Sequence, residues 1–384
     1  MIPSFTFIRD NVGIYLFYAG RNRKFFDETR RNAALFLDLP GFTADSRTFV
    51  DHGRIVQSTY RAHAARKYLS RPIENPRPRA ASEYSTELPT VGRRVDRSFL
   101  ADVINTQILF AEISIGDVII LTPQNHYDPI LLGEVQTDWN PDQVLNVEAF
   151  GEFAVPFRQV RWVPHDLSRS DFARDVARRM QNRRTVTRVD PRYYQDIFRL
   201  IYSRYIWGNS SKLDIFSEYY ASNDPTATEE ASFLIKYAIA LYAATLINEV
   251  DQFVALDKRI AASRYFDSAI VDQMVQSFGS PGGYVARLLG SSAAIFVAGV
   301  IAIALSDEAQ NVGAAQDQAV AEAQQESRPI LSGAEFDPFA NSLRAGTDDE
   351  LRRVYGREAK AKLGLTLDGD TPPEVRARHS HSRE

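Results

Sequence analysis

The sequence predicts an α+β protein: a small N-terminal β-barrel with flanking helices, followed by an all-α region that contains a transmembrane helix. Three observations lead to this fold class. Short apolar runs bounded by glycine or proline recur before residue 190, as in close-packed antiparallel strands. After residue 190 the signals are mainly helical. Within that second half, residues 288–306 form an uncharged run of membrane-spanning length.

Composition excludes several classes of site. The 384 residues include no cysteine, so disulfides, cysteine-ligated metals and thiol catalysis are ruled out. The net charge of −4 divides into +3 for residues 1–190 and −7 for the remainder, and neither value marks a strongly basic nucleic-acid binder. Apart from Lys24 and Lys67, the basic residues of the first half are arginines. Arginine suits phosphate groups and flat rings, although GC-rich coding produces the same bias.

The first half alternates strand-like and helix-like segments. Strands are expected at residues 13–20, 33–39, 118–121, 130–135 and 157–163, and helices at 21–32, 51–69 and 166–184. In the last strand, Val160 and Trp162 should share one face, with Arg161 on the other. Residues 71–97 are rich in Pro, Arg, Ser and Glu and predict a surface loop.

The second half is expected to consist of helices and a polar tail. Helices are predicted at residues 191–207, at 213–220, and from a capping box at 226–229 to beyond Phe253. A Gly-Ser-Pro-Gly-Gly break follows at 279–283, and the tail should be partly helical and partly disordered. The expected domains are therefore a ligand-reading domain, a helical domain, the transmembrane helix and the tail, at residues 1–189, 190–280, 284–306 and 307–384.

Three motifs in the strand-rich half resemble a known family. They are Gly-Asp-Val-Ile-Ile-Leu at 116–121, Leu-Gly-Glu-Val at 132–135, and Arg-Gln-Val-Arg-Trp-Val at 158–163 followed by Asp166-Leu167. In this order they resemble the EVE-like modules of the PUA superfamily, which occur beside the nuclease of Mrr-type and related modification-dependent restriction proteins. Residues 13–20, with Phe25-Phe26 behind them, look like the start of such a module, and residues 185–189 look like its close. The resemblance covers residues 5–189.

The chain departs from that family pattern in three places. Tyr18-Ala19-Gly20 stands where the family often has Arg-Ala-Gly, and residues 37–40 replace a Gly-Trp pair. The usual nuclease is missing. DNA cleavage is therefore not carried over to this chain.

The resemblance implies a pocket that holds one flat, modified base between aromatic walls and hydrogen-bonds its edge. Flipping a base costs a few kcal/mol, which stacking and edge contacts must offset. The expected walls are Tyr18, Tyr127, Trp139 and Trp162, and the expected edge or phosphate contacts are Asn125, Arg21 and Arg161. Packing in the core is the alternative for each aromatic residue, and it is favoured for Trp162. Trp139 and Tyr127 lie in polar surroundings, where a core role is harder to assign.

No catalytic centre is recognisable in the sequence. The six histidines form no His-Glu-x-x-His pattern, and neither a phosphate-binding P-loop nor a Gly-x-Ser-x-Gly motif occurs. Glu358-Ala-Lys360 has the letters of a nuclease motif but lies in a helix-like tail without β context. We therefore expect a non-enzymatic protein without a metal or cofactor.

Residues 288–306 predict a membrane span, because 19 residues at about 1.5 Å each just cross a hydrocarbon layer of about 30 Å. Small residues cluster in this run, as they do where membrane helices pack closely. A buried core helix is the alternative. Residues 233–247 are short and contain Lys236, so they indicate a core helix, or at most a second, weaker span.

Two functional hypotheses follow, beside the simpler possibility of an anchored scaffold whose pocket is vestigial. In the first, the EVE-like domain senses a modified base or nucleotide and controls a membrane-embedded effector in antiphage defence. Its partners are then the lipid bilayer and further copies of the chain, and it lies at the inner membrane with a cytoplasmic N-terminal domain and no signal peptide. In the second, a cytoplasmic reader of modified DNA uses its helical half to recruit a separately encoded restriction nuclease.

Overall fold

The structure is a computed structural model that describes residues 2–45, 48–49, 51–69, 97–123, 125, 128–164, 166–181, 184–218, 225–277, 282–306 and 311–367. The chain divides into two compact units. The N-terminal unit is Asn11–Ile197, and the C-terminal unit combines Met1–Asp10 with Phe198–Glu384. The segments expected as separate domains after residue 197 thus belong to one unit.

The strands and helices are numbered in chain order. The strands are β1 (Thr6–Ile8), β2 (Ile14–Phe17), β3 (Ala34–Leu35), β4 (Val118–Leu121), β5 (Leu131–Val135), β6 (Val144–Asn146), β7 (Ala154–Pro156), β8 (Arg158–Trp162), β9 (Val186–Arg188), β10 (Arg204–Trp207), β11 (Ser210–Ser217), β12 (Val271–Ser277), β13 (Gly282–Leu289) and β14 (Leu365–Thr366). The α-helices are α1 (Phe26–Arg31), α2 (His52–Leu69), α3 (Arg97–Gln107), α4 (Arg174–Arg179), α5 (Tyr194–Ile201), α6 (Pro225–Leu246), α7 (Val250–Val254), α8 (Lys258–Tyr265), α9 (Ala293–Ala304), α10 (Val312–Ser327), α11 (Gly333–Gly346) and α12 (Arg357–Leu363). Two π-helical segments, Ile108–Glu112 and Leu351–Gly356, continue α3 and precede α12.

The N-terminal unit is built on a curled half-barrel sheet with the strand order β3-β8-β5-β4-β2-β9. Strands β2 and β4 run parallel, and the other neighbours run antiparallel. The predicted strands around residues 13–20, 118–121, 130–135 and 157–163 are confirmed as β2, β4, β5 and β8. The alternation in β8 is also confirmed, because Val160 is buried and Arg161 is exposed.

The predicted helices of this unit are confirmed in place but differ in length. Residues 51–69 form α2, whereas 21–32 and 166–184 each contain a 3-10 turn and a short helix, α1 or α4. The predicted loop at 71–97 lies outside the described residues except for its last residue, which begins α3.

The C-terminal unit is not all-α, and this part of the predicted fold class is wrong. Its sheet has the order β1-β10-β11-β13-β12, with β14 beside the far end of β11. The helix expected at 213–220 is strand β11 as far as Ser217, because Leu213 and Ile215 alternate with Lys212 and Asp214. Leu213 and Ile215 face the apolar core of the unit.

The first residues of the chain belong to this unit because they pair within it. Strand β1 lies parallel to β10. The amides of Ile2 and Phe5 donate to the carboxylates of Glu322 and Glu326 on α10, the second at 2.8 Å. The chain thus begins in the C-terminal unit, passes through the N-terminal unit and returns.

The predicted transmembrane helix is also wrong. Leu288 and Leu289 end strand β13, Gly290 turns the chain at a φ of +112°, and only the following residues form α9. A helix of 12 residues is about 18 Å long. In the described part of the chain, no helix is both long and apolar enough to cross a membrane.

Helix α6 contains the segment at 233–247 that was expected as a core helix or a weaker span. It begins at Pro225, ahead of the predicted capping box, and ends at Leu246. Asn248 adopts a left-handed φ of +57°, so the chain turns before α7 and the helix does not continue past Phe253 as expected. The tail is helical in α10, α11 and α12, and residues 368–384 lie outside the described part.

Gly356 provides a test of packing around α9. An added Cβ at this position would lie 1.9 Å from the carbonyl oxygen of Ala304, where the contact is with backbone. We expect Gly356→Ala to lower the free energy of unfolding by about 1–3 kcal/mol, because the two segments must separate. Chemical denaturation of the full chain measures this change.

Gly333→Ala is the matched control. This residue also lies in a helix, and a Cβ there meets no atom within 4 Å. The free energy of unfolding should change by no more than about 0.5 kcal/mol. Equal stability of the two variants would contradict the close approach at Gly356.

Candidate functional site

One end of the N-terminal sheet collects most of the predicted ligand-binding residues. We call it the rim, and define it as the end at which β2, β4 and β8 finish and β5 and β9 start. The register fixes this arrangement, because β2 and β4 are parallel while β5 and β9 run against them. The chain leaves β2 into residues 18–23 and β4 into residues 122–125 at the rim.

Tyr18 is a buried residue at the rim, and it does not form the exposed wall of a pocket. Its side chain is buried, and its hydroxyl donates to the carbonyl of Arg179 at 3.0 Å. Burial raises the pKa of this hydroxyl, while the neighbouring Arg23 opposes the shift. The Arg23 guanidinium lies 4.8 Å from the centre of the Tyr18 ring and donates to the carbonyl of Met180 at 2.8 Å. Tyr18 thus holds an arginine in place.

Five arginines lie in the chain segments that meet at Tyr18: Arg21, Arg23, Arg169, Arg179 and Arg184. Arg21 and Arg184 are exposed, and the other three are half-buried. They come from three segments, which meet because the Tyr18 amide donates to the carbonyl of Thr185 at 2.8 Å and Arg169 acts on the Tyr18 hydroxyl electrostatically. None of the five has an ion pair with a carboxylate in the described part of the chain.

The backbone of the rim is held in an uncommon conformation. Asn22 and Arg23 both have positive φ angles, 56° and 60°, which residues other than glycine seldom adopt. Gly20 precedes them at a φ of 76°. Such conformations cost of order 1–3 kcal/mol each and occur often at functional sites.

The other residues predicted near the rim differ in their exposure. Asn125 is exposed in the loop after β4, and Tyr127 in the same loop lies outside the described residues. Arg161 is exposed but forms an ion pair with Glu134 across β5 and β8. Trp162 is half-buried and donates from Nε1 to the carbonyl of Arg30 at 3.1 Å.

The structure does not bring Tyr18 and Trp162 together as two walls of one pocket. Tyr15, Ile119, Gly133 and Trp162 stand opposite one another on successive strands, so they share one face. Tyr18 is three residues beyond Tyr15 and therefore points to the other face.

Trp139 lies away from the rim. It follows the last residue of β5, at the end of the sheet opposite the rim. Its ring is half-buried and packs 4.8 Å from Phe49 and 6.0 Å from Phe110, measured between ring centres. Phe42 stacks on Phe110 at 5.9 Å. Trp139 Nε1 is buried and has no hydrogen-bond partner in the described part of the chain. The structure therefore groups Trp139 with core aromatics, and Trp162 packs against the same core cluster at the rim end of the sheet.

Arg158 is a buried structural residue that sequence reasoning missed. Its guanidinium donates to the carbonyls of Leu109, Ile113 and Thr137, the last at 2.7 Å. Burial lowers its pKa, and the nearby Asp138 opposes that shift. Arg158 thereby ties the π-helical end of α3 to the loop after β5. The sequence already indicated that Arg158 points inward, since it is two residues before the inward-facing Val160.

Two of the family-like motifs have structural explanations in this sheet. Asp117 accepts hydrogen bonds from the amides of Gly13 and Ser114, both at 2.8 Å, and so fixes the entry to β4 beside β2. Gly133 leaves room for the Trp162 ring, because an added Cβ would lie 2.5 Å from it. Both residues stabilise the sheet that carries the rim.

The geometry shows no metal centre in the residues that the structure describes, since no three His, Asp or Glu side chains group as ligands there. Comparison with protein-family models, with curated proteins and with solved structures found no match. The EVE-like resemblance therefore stays a prediction. The arginine-lined rim is the candidate site.

Arg158 and Arg161 lie on the same strand, so the contribution of a buried arginine to stability can be compared with that of an exposed one. Arg158→Met should lower the free energy of unfolding by about 3 kcal/mol, because buried carbonyls lose their donors. Arg161→Met should change it by less than about 1 kcal/mol, because an exposed ion pair contributes little. Urea denaturation of both variants tests the difference, and a small loss for Arg158→Met would contradict its structural role.

Proposed function

We propose that the N-terminal unit is a reader that binds a nucleic-acid strand at the rim, with the arginines on phosphates and Asn125 beside a base. The observation that carries the proposal is that the segments meeting at Tyr18 contain five arginines, none with a carboxylate partner among the described residues. They come from separate segments, so the folded sheet gathers positive charge that the sequence spreads over more than 160 positions.

Phosphate suits this arrangement physically. Guanidinium groups bind phosphate oxygens through paired hydrogen bonds, and an anion relieves the repulsion among crowded cations. Arg23 is already oriented by Tyr18 and Met180, so little side-chain entropy is lost when it binds. Several arginines favour a strand with successive phosphates over a single mononucleotide.

Base recognition in this proposal depends on Asn125 and not on an aromatic cage. The Asn125 amide can donate and accept at a base edge, and the residue is exposed in the loop that follows β4. Tyr18 is buried and Trp162 points to the other face of the sheet, which argues against stacking between these two rings. A preference for modified bases is supported by the EVE-like resemblance alone.

Of the two functional hypotheses from the sequence, the proposal is closer to the DNA reader. The membrane effector depended on a span at 288–306, and that segment is the end of a strand, a turn and a short helix. Recruitment of a separately encoded nuclease by the C-terminal unit is retained as part of the reader hypothesis. Co-purification of the full chain with a candidate nuclease tests that part.

The salt dependence of binding tests the phosphate contacts. We expect the full chain to bind labelled single-stranded or duplex DNA with an affinity that falls steeply with salt. Arg21→Ala should weaken binding to all sequences and reduce the slope of log K against log salt by about 1. Fluorescence anisotropy over a salt series measures both quantities.

Arg192→Ala is the matched control for Arg21→Ala. Arg192 is exposed, pairs with Asp190 at 3.4 Å, and lies beyond the end of β9 that is remote from the rim. Its substitution should leave the slope unchanged. Equal losses for both variants would indicate nonspecific attraction, and a mononucleotide that competes as well as the oligonucleotide would overturn the preference for a strand.

The role of Asn125 predicts a different signature. Asn125→Ala should reduce discrimination between modified and plain bases while the salt slope stays the same, because base contacts carry specificity and phosphate contacts carry charge. Competition with oligonucleotides that differ only in base modification measures this. Unchanged discrimination would remove Asn125 from the site without affecting the phosphate contacts.

A further inference from the structure

Strand β12 forms an edge of the sheet in the C-terminal unit. It is seven residues long, pairs with β13 on one side, and is last in the strand order. No backbone hydrogen bond on its other side joins it to a described residue. The opposite edge, β1, has only three residues and is followed at once by Arg9 and Asp10.

Natural edge strands are usually protected against pairing by lysine, proline, short length or a β-bulge. The sequence of β12, Val-Asp-Gln-Met-Val-Gln-Ser, contains no lysine or proline. Its register irregularity lies at one end, between Val271 and Gln273, and residues 273–277 pair regularly with β13. Its one charged residue, Asp272, already pairs with Arg287 of β13 at 3.4 Å. The strand therefore presents an almost neutral row of backbone donors and acceptors.

Met274, at the centre of β12, has an apolar side chain that its neighbours cover only in part. It stands opposite Ala286, which belongs to the apolar core, so Met274 is on the core side of the sheet. Yet its side chain is 40% exposed. A further strand added beside β12 would place a side chain next to it and cover it.

We propose that β12 pairs antiparallel with β12 of a second copy of this chain, about a twofold axis at Met274. In this register the two Met274 side chains stand directly opposite and cover each other. Gln273 stands opposite Val275 of the second copy. Asp272, which lies in the register irregularity beside Gln273, is the one charged residue of β12, so no like charges stand opposite each other at the axis. The two sheets become one continuous sheet across the dimer, and the edge disappears.

The absence of cysteine from the chain makes the register directly testable. Opposed residues of an antiparallel pair have Cα atoms about 4.5–5.5 Å apart, which is within the range that a disulfide bridges. Full-length Met274→Cys should give a reducible covalent dimer on mild oxidation. Val354→Cys, at an exposed apolar residue of the same unit, is the matched control and should give little covalent dimer under the same treatment, as seen by denaturing electrophoresis without a reducing agent.

A charge exchange tests the same contact without oxidation. Met274→Lys and Met274→Glu should each be monomeric by light scattering after size exclusion, because like charges then meet at the axis. A mixture of the two should restore a dimer of one copy each. Circular dichroism confirms that each variant is folded.

The expected wild-type result is a mass that reaches that of a dimer as concentration rises. A monomer at all concentrations would overturn the proposal. A wild-type dimer in which Met274→Cys cross-links no faster than Val354→Cys would also overturn it, since another surface would then form the contact. These readouts involve no nucleic acid, so they do not depend on the proposed reader function.

Discussion

The C-terminal unit depends on burying a helix that is apolar on every side. All 12 residues of α9 are buried, and none is charged or polar. Such a helix is stable either in a membrane or at the centre of a protein core, because no face of it can be left to water. In this unit the sheet strands β11 and β13 cover it together with α6, α10, α11 and the π-helical segment Leu351–Gly356. The strands and helices of the unit are thus arranged around α9.

Burial of α9 requires that the polar groups at its ends find partners. The Ala294 amide near its start donates to the Ser211 hydroxyl of β11 at 3.2 Å. Beyond its end, the Leu305 carbonyl accepts a hydrogen bond from Lys360 of α12 at 3.2 Å. On the same strand as Ser211, the fully buried Lys212 donates to Asp214 and to the carbonyls of Arg199 and Tyr202. Since unpaired buried charge is costly, these bonds restrict how the sheet and helices can pack.

Local pattern predicted the N-terminal sheet well and the C-terminal sheet poorly, for physical reasons. Strands β4, β5 and β8 have apolar runs between glycine-containing turns, and their type was clear. Strand β11 alternates as well, but its buried Lys212 and Asp214 resemble the polar face of a helix until their mutual pairing is known. For residues 288–306, uniform apolarity concealed the turn at Gly290, and apolarity alone does not distinguish a membrane from a protein core.

The candidate site could be predicted by residue type but not by side-chain direction. Tyr18 and Arg21 were named as candidates through the EVE-like resemblance, and the structure places both at the rim. Which face each ring occupies depends on the register between strands, and a separation of three residues reverses the face. Tyr18 was expected to stack on a base, but the register places its ring where it orients Arg23 instead. The register therefore changes the chemistry favoured at the rim, from enclosure of a flat ring to recognition of an anion.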